Sequence, residues 1–353
     1  MAGRKFKFPN EKAPLIDVHF HHFPPVLRDL GEFTIASPDE TDHAMELLKT
    51  TAVILSPVLW SKYNTNWSRK QWTQLCRDLT DAQAAEVRNN PTTRGSFAPL
   101  PLPHVQETLE AIKYCEEECS PRADGYAITT SANNYYLGDP IFDPIWEECN
   151  HRGLVLFVHP SETVNPPLDT SHYQFPMIEY PTETARCLMT MVDNGTFTKY
   201  PDIKWIFSHN GGSFPFLFQR VIRTLSGSKL IGPGGPGAKK INRIADNNAG
   251  RTLQEIFRQG NAYFECSQGT STQQGVLRSM GVPPSRILTG SDWPFTGKVE
   301  VESTLAEMNG PESSGLFNAE ELEGIRAGNF LAIAPRLAEA WVQSGLVQYK
   351  REI

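Results

Sequence analysis

Four apolar runs in this chain each end on a histidine or an aspartate: IDVHFHH at 16–22, LFVHP at 156–160, IFSHNGG at 206–212 and LTGSDWPF at 288–295. An apolar run of this length reads as a buried strand, and a polar group at its end has to be paired, hydrogen-bonded or bound to an ion. Strand side chains alternate between two faces, so His19 and His21 share one side and can grip one ion, while His22 takes the other. His159, His209 and Asp292 arrive from far along the chain, each at the C-terminal end of its own run. Catalytic groups of a parallel α/β barrel sit at that end of different strands, which makes the repeated placement a constraint on the fold as well as on the chemistry.

The rest of the chain fits such a barrel. Apolar runs bounded by turn residues mark strands at 15–21, 51–57, 95–100, 125–130, 154–159, 203–209, 262–267 and 286–291. Helix-like stretches lie between them at 69–89, 104–118, 141–152, 181–194, 214–225, 250–259, 270–280 and 299–308. Strands alternating with helices imply parallel strands and right-handed crossovers, and eight such units predict a (β/α)8 TIM barrel, regular or distorted. The expected organisation is one domain over 1–353, with the barrel at about 15–310 and two helices in 318–346, broken near Pro335 and packed outside it.

Composition narrows the class. A net charge of −7 with scattered Lys and Arg leaves no electrostatic footprint for nucleic acid. The start, MAGRKFKFPNEKAP, lacks the apolar stretch of a secretory signal, and no run reaches the ~20 apolar residues of a membrane span. The expectation is a soluble, cytoplasmic protein with no membrane partner. Cysteines 76, 115, 119, 149, 187 and 266 form no CxxC pair and read as reduced, buried thiols. Two loops stand out. VLWSKYNTNW at 58–67 would lie on the catalytic face, as a substrate loop or a packed surface loop. Gly232, Gly234 and Gly237 form a GxGxxG pattern, but it follows a helix and is interrupted by Pro233 and Pro236, so it is a flap or linker and not a nucleotide site.

Neutral imidazoles with one carboxylate suit Zn²⁺, Mn²⁺ or Fe²⁺, and His19, His21, His159 and Asp292 supply such a set. Two-metal barrels of this kind usually need a bridging anion from the fourth strand, commonly a carboxylated lysine, and DGYAITTSANN at 124–134 has no lysine. One metal ion per chain is therefore expected, which leaves His209 as an outer group able to hold a proton and orient a metal-bound water.

These strings, with LGDPIFDPIWEECNHRGLVLFVHP at 137–160 and YPDIKWIFSHNGGSFPFLFQR at 200–220, make the sequence resemble the amidohydrolase superfamily over nearly its whole length. Within it, the resemblance is to the decarboxylases that include the aminocarboxymuconate-semialdehyde and γ-resorcylate enzymes. It implies that His19, His21, His159 and Asp292 hold the metal and that His209 is catalytic. It also implies a homodimer, because Arg220 matches an arginine that in some members crosses the dimer interface to bind substrate carboxylate; a helix-surface salt bridge is its other reading. His19 stands where some resorcylate-type members have Glu, which favours Zn²⁺ with Mn²⁺ as the alternative, and the usual HGG is here HNGG. The HNGGSFPF variant and the long 226–250 segment are similar to the 6-methylsalicylate decarboxylases. The reaction implied is loss of CO₂ from a small aromatic acid with an ortho hydroxyl, with Asp292 as proton donor and His209 assisting. Trp60, Trp293 and Phe295 would pack the ring or belong to barrel and loop core. Hydrolysis of an ester, lactone or amide on the same ligands is the competing reading.

Overall fold

A computed structural model describes residues 5–9, 13–28, 38–57, 67–161, 175–226, 244–269, 271–295 and 301–350. Trp60 and the glycine pattern at 232–237 lie outside these residues.

Eight strands form one parallel sheet in chain order: β1 (Ile16–His21), β2 (Ala52–Ser56), β3 (Arg94–Pro99), β4 (Gly125–Thr129), β5 (Val155–His159), β6 (Lys204–Phe207), β7 (Ala262–Glu265) and β8 (Ile287–Leu288). The last strand meets the first. Val18 N–H donates to Thr289 O at 2.9 Å, Asp292 N–H to His19 O at 2.8 Å and His21 N–H to Trp293 O at 2.9 Å, so the sheet closes into a barrel. The helices of seven or more residues are α1 (Pro38–Leu48), α2 (Arg69–Asn89), α3 (Val105–Glu117), α4 (Asp143–Arg152), α5 (Phe175–Asp193), α6 (Phe214–Ser226), α7 (Leu253–Gln259), α8 (Ser271–Ser279), α9 (Val301–Met308) and α10 (Pro335–Ser344). Helix α1 is absent from the sequence reading. Its acidic sequence, PDETDHAMELL, puts only Ala44, Met45 and Leu48 into the core, too short an apolar stripe to show a period.

Two apolar layers separate inside from outside. The barrel interior holds Ile16, Val18, Ala52, Ile54, Phe97, Ala127, Val155, Phe157, Ile206 and Leu288. Their neighbours on the same strands, Tyr126, Ile128, Leu156, Val158, Trp205 and Phe207, face the helices. The C-terminal helices lie outside the strand wall and cover its N-terminal end. There Phe330, Leu331, Leu337 and Trp341 join the interior cluster. Arg336 reaches Asp124 Oδ2 at 2.8 Å and Arg94 O at 2.9 Å, and Arg326 Nε donates to Ala13 O at 2.9 Å. The opposite, C-terminal face is the end at which barrel sites lie.

Strand β1 breaks its own alternation. Its pairing with β2 shifts register between Asp17 and Phe20. Ile16 and Val18 face the interior and Phe20 faces the helices, so without the shift His19 and His21 would also face the helices. Asp17, fully buried, secures the break: its carboxylate accepts His19 N–H at 3.0 Å, Ser291 N–H at 3.0 Å and Ser291 Oγ–H at 2.5 Å. Burial pushes the Asp17 carboxyl up to about 7, with those hydrogen bonds opposing it. Asp17→Ala leaves two backbone donors without an acceptor and is expected to destabilise the protein by about 3 kcal/mol. Asp17→Asn, which mimics the protonated acid, should cost under about 1 kcal/mol. Urea unfolding of both variants checks the pair; equal losses would remove the latch.

Candidate metal centre

Five side chains converge at the mouth. His19 and His21 come from β1, His159 is the last residue of β5, His209 lies two residues past β6, and Asp292 follows β8. His21 Nε2 lies 3.1 Å from His19 Nε2 and 3.0 Å from Asp292 Oδ1, while His19 Nε2 is 3.1 Å from that same oxygen. Ring centroids of His159 lie 5.1 Å from His19, 5.0 Å from His21 and 5.2 Å from His209. His209 Nε2 approaches Asp292 Oδ2 at 3.4 Å. One ligand atom each from His19, His159, His209 and Asp292 falls within 4.8 Å of all the others. That group takes in His209 and leaves out His21, which the sequence reading places among the ligands.

The turn after β6 explains the departure at Asn210. His209, Asn210, Gly211 and Gly212 all have positive φ, at 53°, 55°, 79° and 61°. Asparagine is among the few side chains that tolerate this region. Buried Asn210 also ties two loops together, its Nδ2 donating to Ser267 O at 3.2 Å and its Oδ1 accepting Gln274 Nε2–H at 2.9 Å.

The donor set fits a divalent cation. His159 Nδ1 lies 2.7 Å from Pro160 O and His19 Nδ1 lies 2.8 Å from Glu265 Oε1. Donating those Nδ1 protons leaves each Nε2 lone pair turned to the centre, the arrangement that metal-binding histidines adopt. The buried Nδ1 of His21 has no hydrogen-bond partner among the described residues. Burial disfavours a charged His19, but Asp292 and Glu265 outweigh it and push the imidazole up to about 10. Burial and the neighbouring imidazoles of His21, His19 and His209 hold His159 well below its usual value. Burial opposes a charge on Asp292 and on Glu265 as well, yet His19 beside them keeps both below the ordinary carboxylate range. Two buried anions match the charge of one divalent ion.

Other sequence-derived positions fall differently. Phe295 is 46% exposed, with its ring 5.2 Å from that of His21, at the rim of the centre. Trp293 takes the core place, the second of its two readings: its ring stacks on Phe20 at 6.4 Å inside the cluster of Leu15, Ala44, Met45, Leu48 and Met308, beneath the helices. The last strand ends at Leu288 and Asp292 has a positive φ of 59°, so the turn there, and not strand alternation, sets the face of the next side chain. Arg220 is exposed on α6 and makes no ion pair among the described residues. Sequence reasoning missed Glu265, Ser267, Gln268 and Tyr180. Gln268 Nε2 donates to Asp292 Oδ2 at 2.9 Å, and the Tyr180 ring stands edge-on to His159 at 6.1 Å. A glutamate ending the apolar run AYFE was a visible signal for Glu265; nothing local marked the other three.

Comparison with known proteins follows this geometry. The amidohydrolase family profile matches residues 16–222. A 6-methylsalicylic acid decarboxylase from Penicillium expansum is 32% identical over 294 residues, which cover 79% of this chain and 84% of that protein. Among solved structures, Metarhizium anisopliae IDCase in apo form superposes with a TM-score of 0.75 at 19% identity, covering 92% of this chain and 97% of its own. A dihydroxybenzoic acid decarboxylase from Polaromonas sp. JS666, solved with bound manganese and the inhibitor 2-nitroresorcinol, gives 0.68 at 19% identity, with the same coverage of 92% and 97%.

A titration tests the centre. Asp292 and Glu265 favour a proton on His19 in the metal-free site, and a metal ion would have to displace it. Affinity should therefore rise with pH by about tenfold per unit across the neutral range, with about one proton released per ion bound. Adding Zn²⁺ to metal-free protein in weak buffer with a pH indicator measures this, and binding without proton release contradicts it.

Proposed function

We propose that this chain, which belongs to the amidohydrolase family, is a metal-dependent carboxy-lyase that removes CO₂ from a small aromatic acid carrying an ortho hydroxyl, of the 6-methylsalicylate type. The observation that carries the reading is the convergence of His19, His21, His159, His209 and Asp292 in a chain similar to a 6-methylsalicylic acid decarboxylase over 79% of its length. His19, His21, His159 and Asp292 would hold one ion. Zn²⁺ suits three imidazoles and a carboxylate, and Mn²⁺, the ion of the Polaromonas enzyme, is the alternative. Such an ion supplies Lewis acidity toward the carboxylate and hydroxyl oxygens of the substrate.

The chain's own groups then move one proton. It goes to the ring carbon that bears the carboxylate; when the carbon–carboxylate bond breaks, its electron pair restores the aromatic ring and CO₂ leaves. Asp292 is ionised at rest, so the proton it hands to the ring has to come from His209 across the 3.4 Å contact. Gln268, donating to the same Asp292 oxygen, holds it in place for the transfer. Phe295 at the rim is positioned to cover one face of the substrate ring. The six free cysteines suit a reducing compartment, and we place the enzyme in the cytoplasm. No helix among the described residues is long and apolar enough to cross a membrane.

A second copy of the chain fits the α5–α6 face. Ser213 N–H donates to Pro181 O at 3.0 Å, which brings the start of α6 against the first half of α5. Around that junction Met177, Ile178, Phe216 and Leu217 are 64%, 54%, 55% and 42% exposed. Apolar side chains grouped in this way mark an interface. Exposed Arg220 lies one turn further along α6 and would serve the neighbouring site, where a guanidinium can clamp a carboxylate.

Incubating the enzyme with salicylates, resorcylates and simple aryl esters separates the chemistries: CO₂ release is expected, and acid release from esters without CO₂ would make it a hydrolase. His209→Ala should keep its metal while kcat falls about 10²–10⁴-fold, and metal loss in this variant would make His209 a ligand. Mixing inactive Arg220→Ala and His209→Ala chains should restore activity, because each mixed dimer regenerates one intact site. Mixed dimers that stay inactive would return Arg220 to the helix surface.

A further inference from the structure

Glu265 sits behind the metal centre and touches both of its working halves. Oε1 lies 2.8 Å from His19 Nδ1, accepts the backbone N–H of His209 at 2.6 Å and accepts Ser267 Oγ–H at 2.8 Å. Oε2 accepts the Ser267 backbone N–H at 2.7 Å. An ionised carboxylate offers about four acceptor sites, and four donors converge on this one, three of them on Oε1. The residue is fully buried, and its one carboxylate touches both a proposed ligand ring and the backbone of the proposed acid/base residue.

The neighbouring strand has been cleared to admit it. A Cβ added at Gly290, in the LTGSDW string, would collide with Glu265 Oε2 and come within 2.8 Å of His19 Cβ. Gly290 is not in the positive-φ region, so backbone freedom does not explain the glycine. Space for the carboxylate does.

We infer that Glu265 is a positioning residue shared by His19 and His209, and that Gly290 lacks a side chain so that this carboxylate can reach both. By accepting the His19 Nδ1 proton it presents Nε2 to the ion; by holding the His209 N–H it fixes the left-handed turn from which that imidazole reaches Asp292. The inference rests on the reading of this cluster as a metal-dependent decarboxylase centre.

Glu265→Gln preserves shape and removes the charge. Its Oε1 can keep the contacts to His19 and His209, but its amide nitrogen then faces the Ser267 N–H, donor against donor. Zn²⁺ affinity, measured by chelator competition on purified protein, should fall about 10–100-fold, and the visible spectrum of the Co²⁺-loaded protein should change. Metal-free Glu265→Gln should unfold in a single cooperative transition with its midpoint lowered by the unpaired Ser267 N–H, which separates the metal effect from simple loss of fold. At saturating metal kcat should remain depressed, because the His209 turn is no longer held by a carboxylate. Gly290→Ala approaches the same contact from the other strand and should weaken Zn²⁺ in the same direction; it also serves if Glu265→Gln does not fold. Parental Zn²⁺ affinity and kcat in either variant would overturn the inference while leaving the metal centre intact. A parent enzyme that decarboxylates equally well after its metal is stripped would overturn the underlying reading instead.

Discussion

The seam between the first and last strands decides whether this barrel has a site at all. Closure by Val18, His21 and Asp292 brings the two ends of a long sequence into register, and the register shift at Asp17–Phe20 turns His19 and His21 inward. A slip of one residue would bury both imidazoles under helices. Asp17 prevents it by holding the backbone of His19 and of Ser291 with one carboxylate. The same latch carries Asp292, one residue on, to its place beside the histidines. Structure and chemistry therefore share a single joint, and the apolar floor formed by Phe330, Leu337 and Trp341 supports it from below.

Concentrating five ionisable groups in a buried mouth is costly unless their charges offset one another. In the metal-free chain Asp292 and Glu265 favour a proton on His19 between them, and a bound ion would take its place. Backbone strain accompanies the arrangement. His209 and Asp292 both adopt positive φ, at 53° and 59°, a conformation that costs an ordinary residue about 1–3 kcal/mol. Each lies a few residues past the end of its strand, and the turn aims it back over the barrel mouth. Packing on either side compensates, notably Asn210 bridging to Ser267 and Gln274.

The barrel was legible in the sequence because most strands are apolar runs with a distinct end, RGSFAP at 94–99 being an exception. Strands read at 154–159 and 125–130 lie at Val155–His159 and Gly125–Thr129, and the helix read at 69–89 spans those residues. Helix α1 was hidden by its acidic composition, and the bulge in β1 by the fact that alternation says which residues share a face, not which face is inside. His19, His21, His159, His209 and Asp292 could be named because a polar residue ending an apolar run has few harmless explanations. Trp293 could not be placed, since its face depends on the turn at Asp292. Glu265 carried the same signal as the histidines, but its partners lie 246 and 56 residues away, and only closure of the barrel brings them together.

The most direct test of one metal ion driving one decarboxylation centre is a reconstitution titration. Protein stripped by a chelator should release no CO₂ from a 6-methylsalicylate-type substrate, and activity should climb linearly with added Zn²⁺ or Mn²⁺ to a sharp break at about one ion per chain. A break at two ions per chain, or full activity in the stripped protein, would contradict the account.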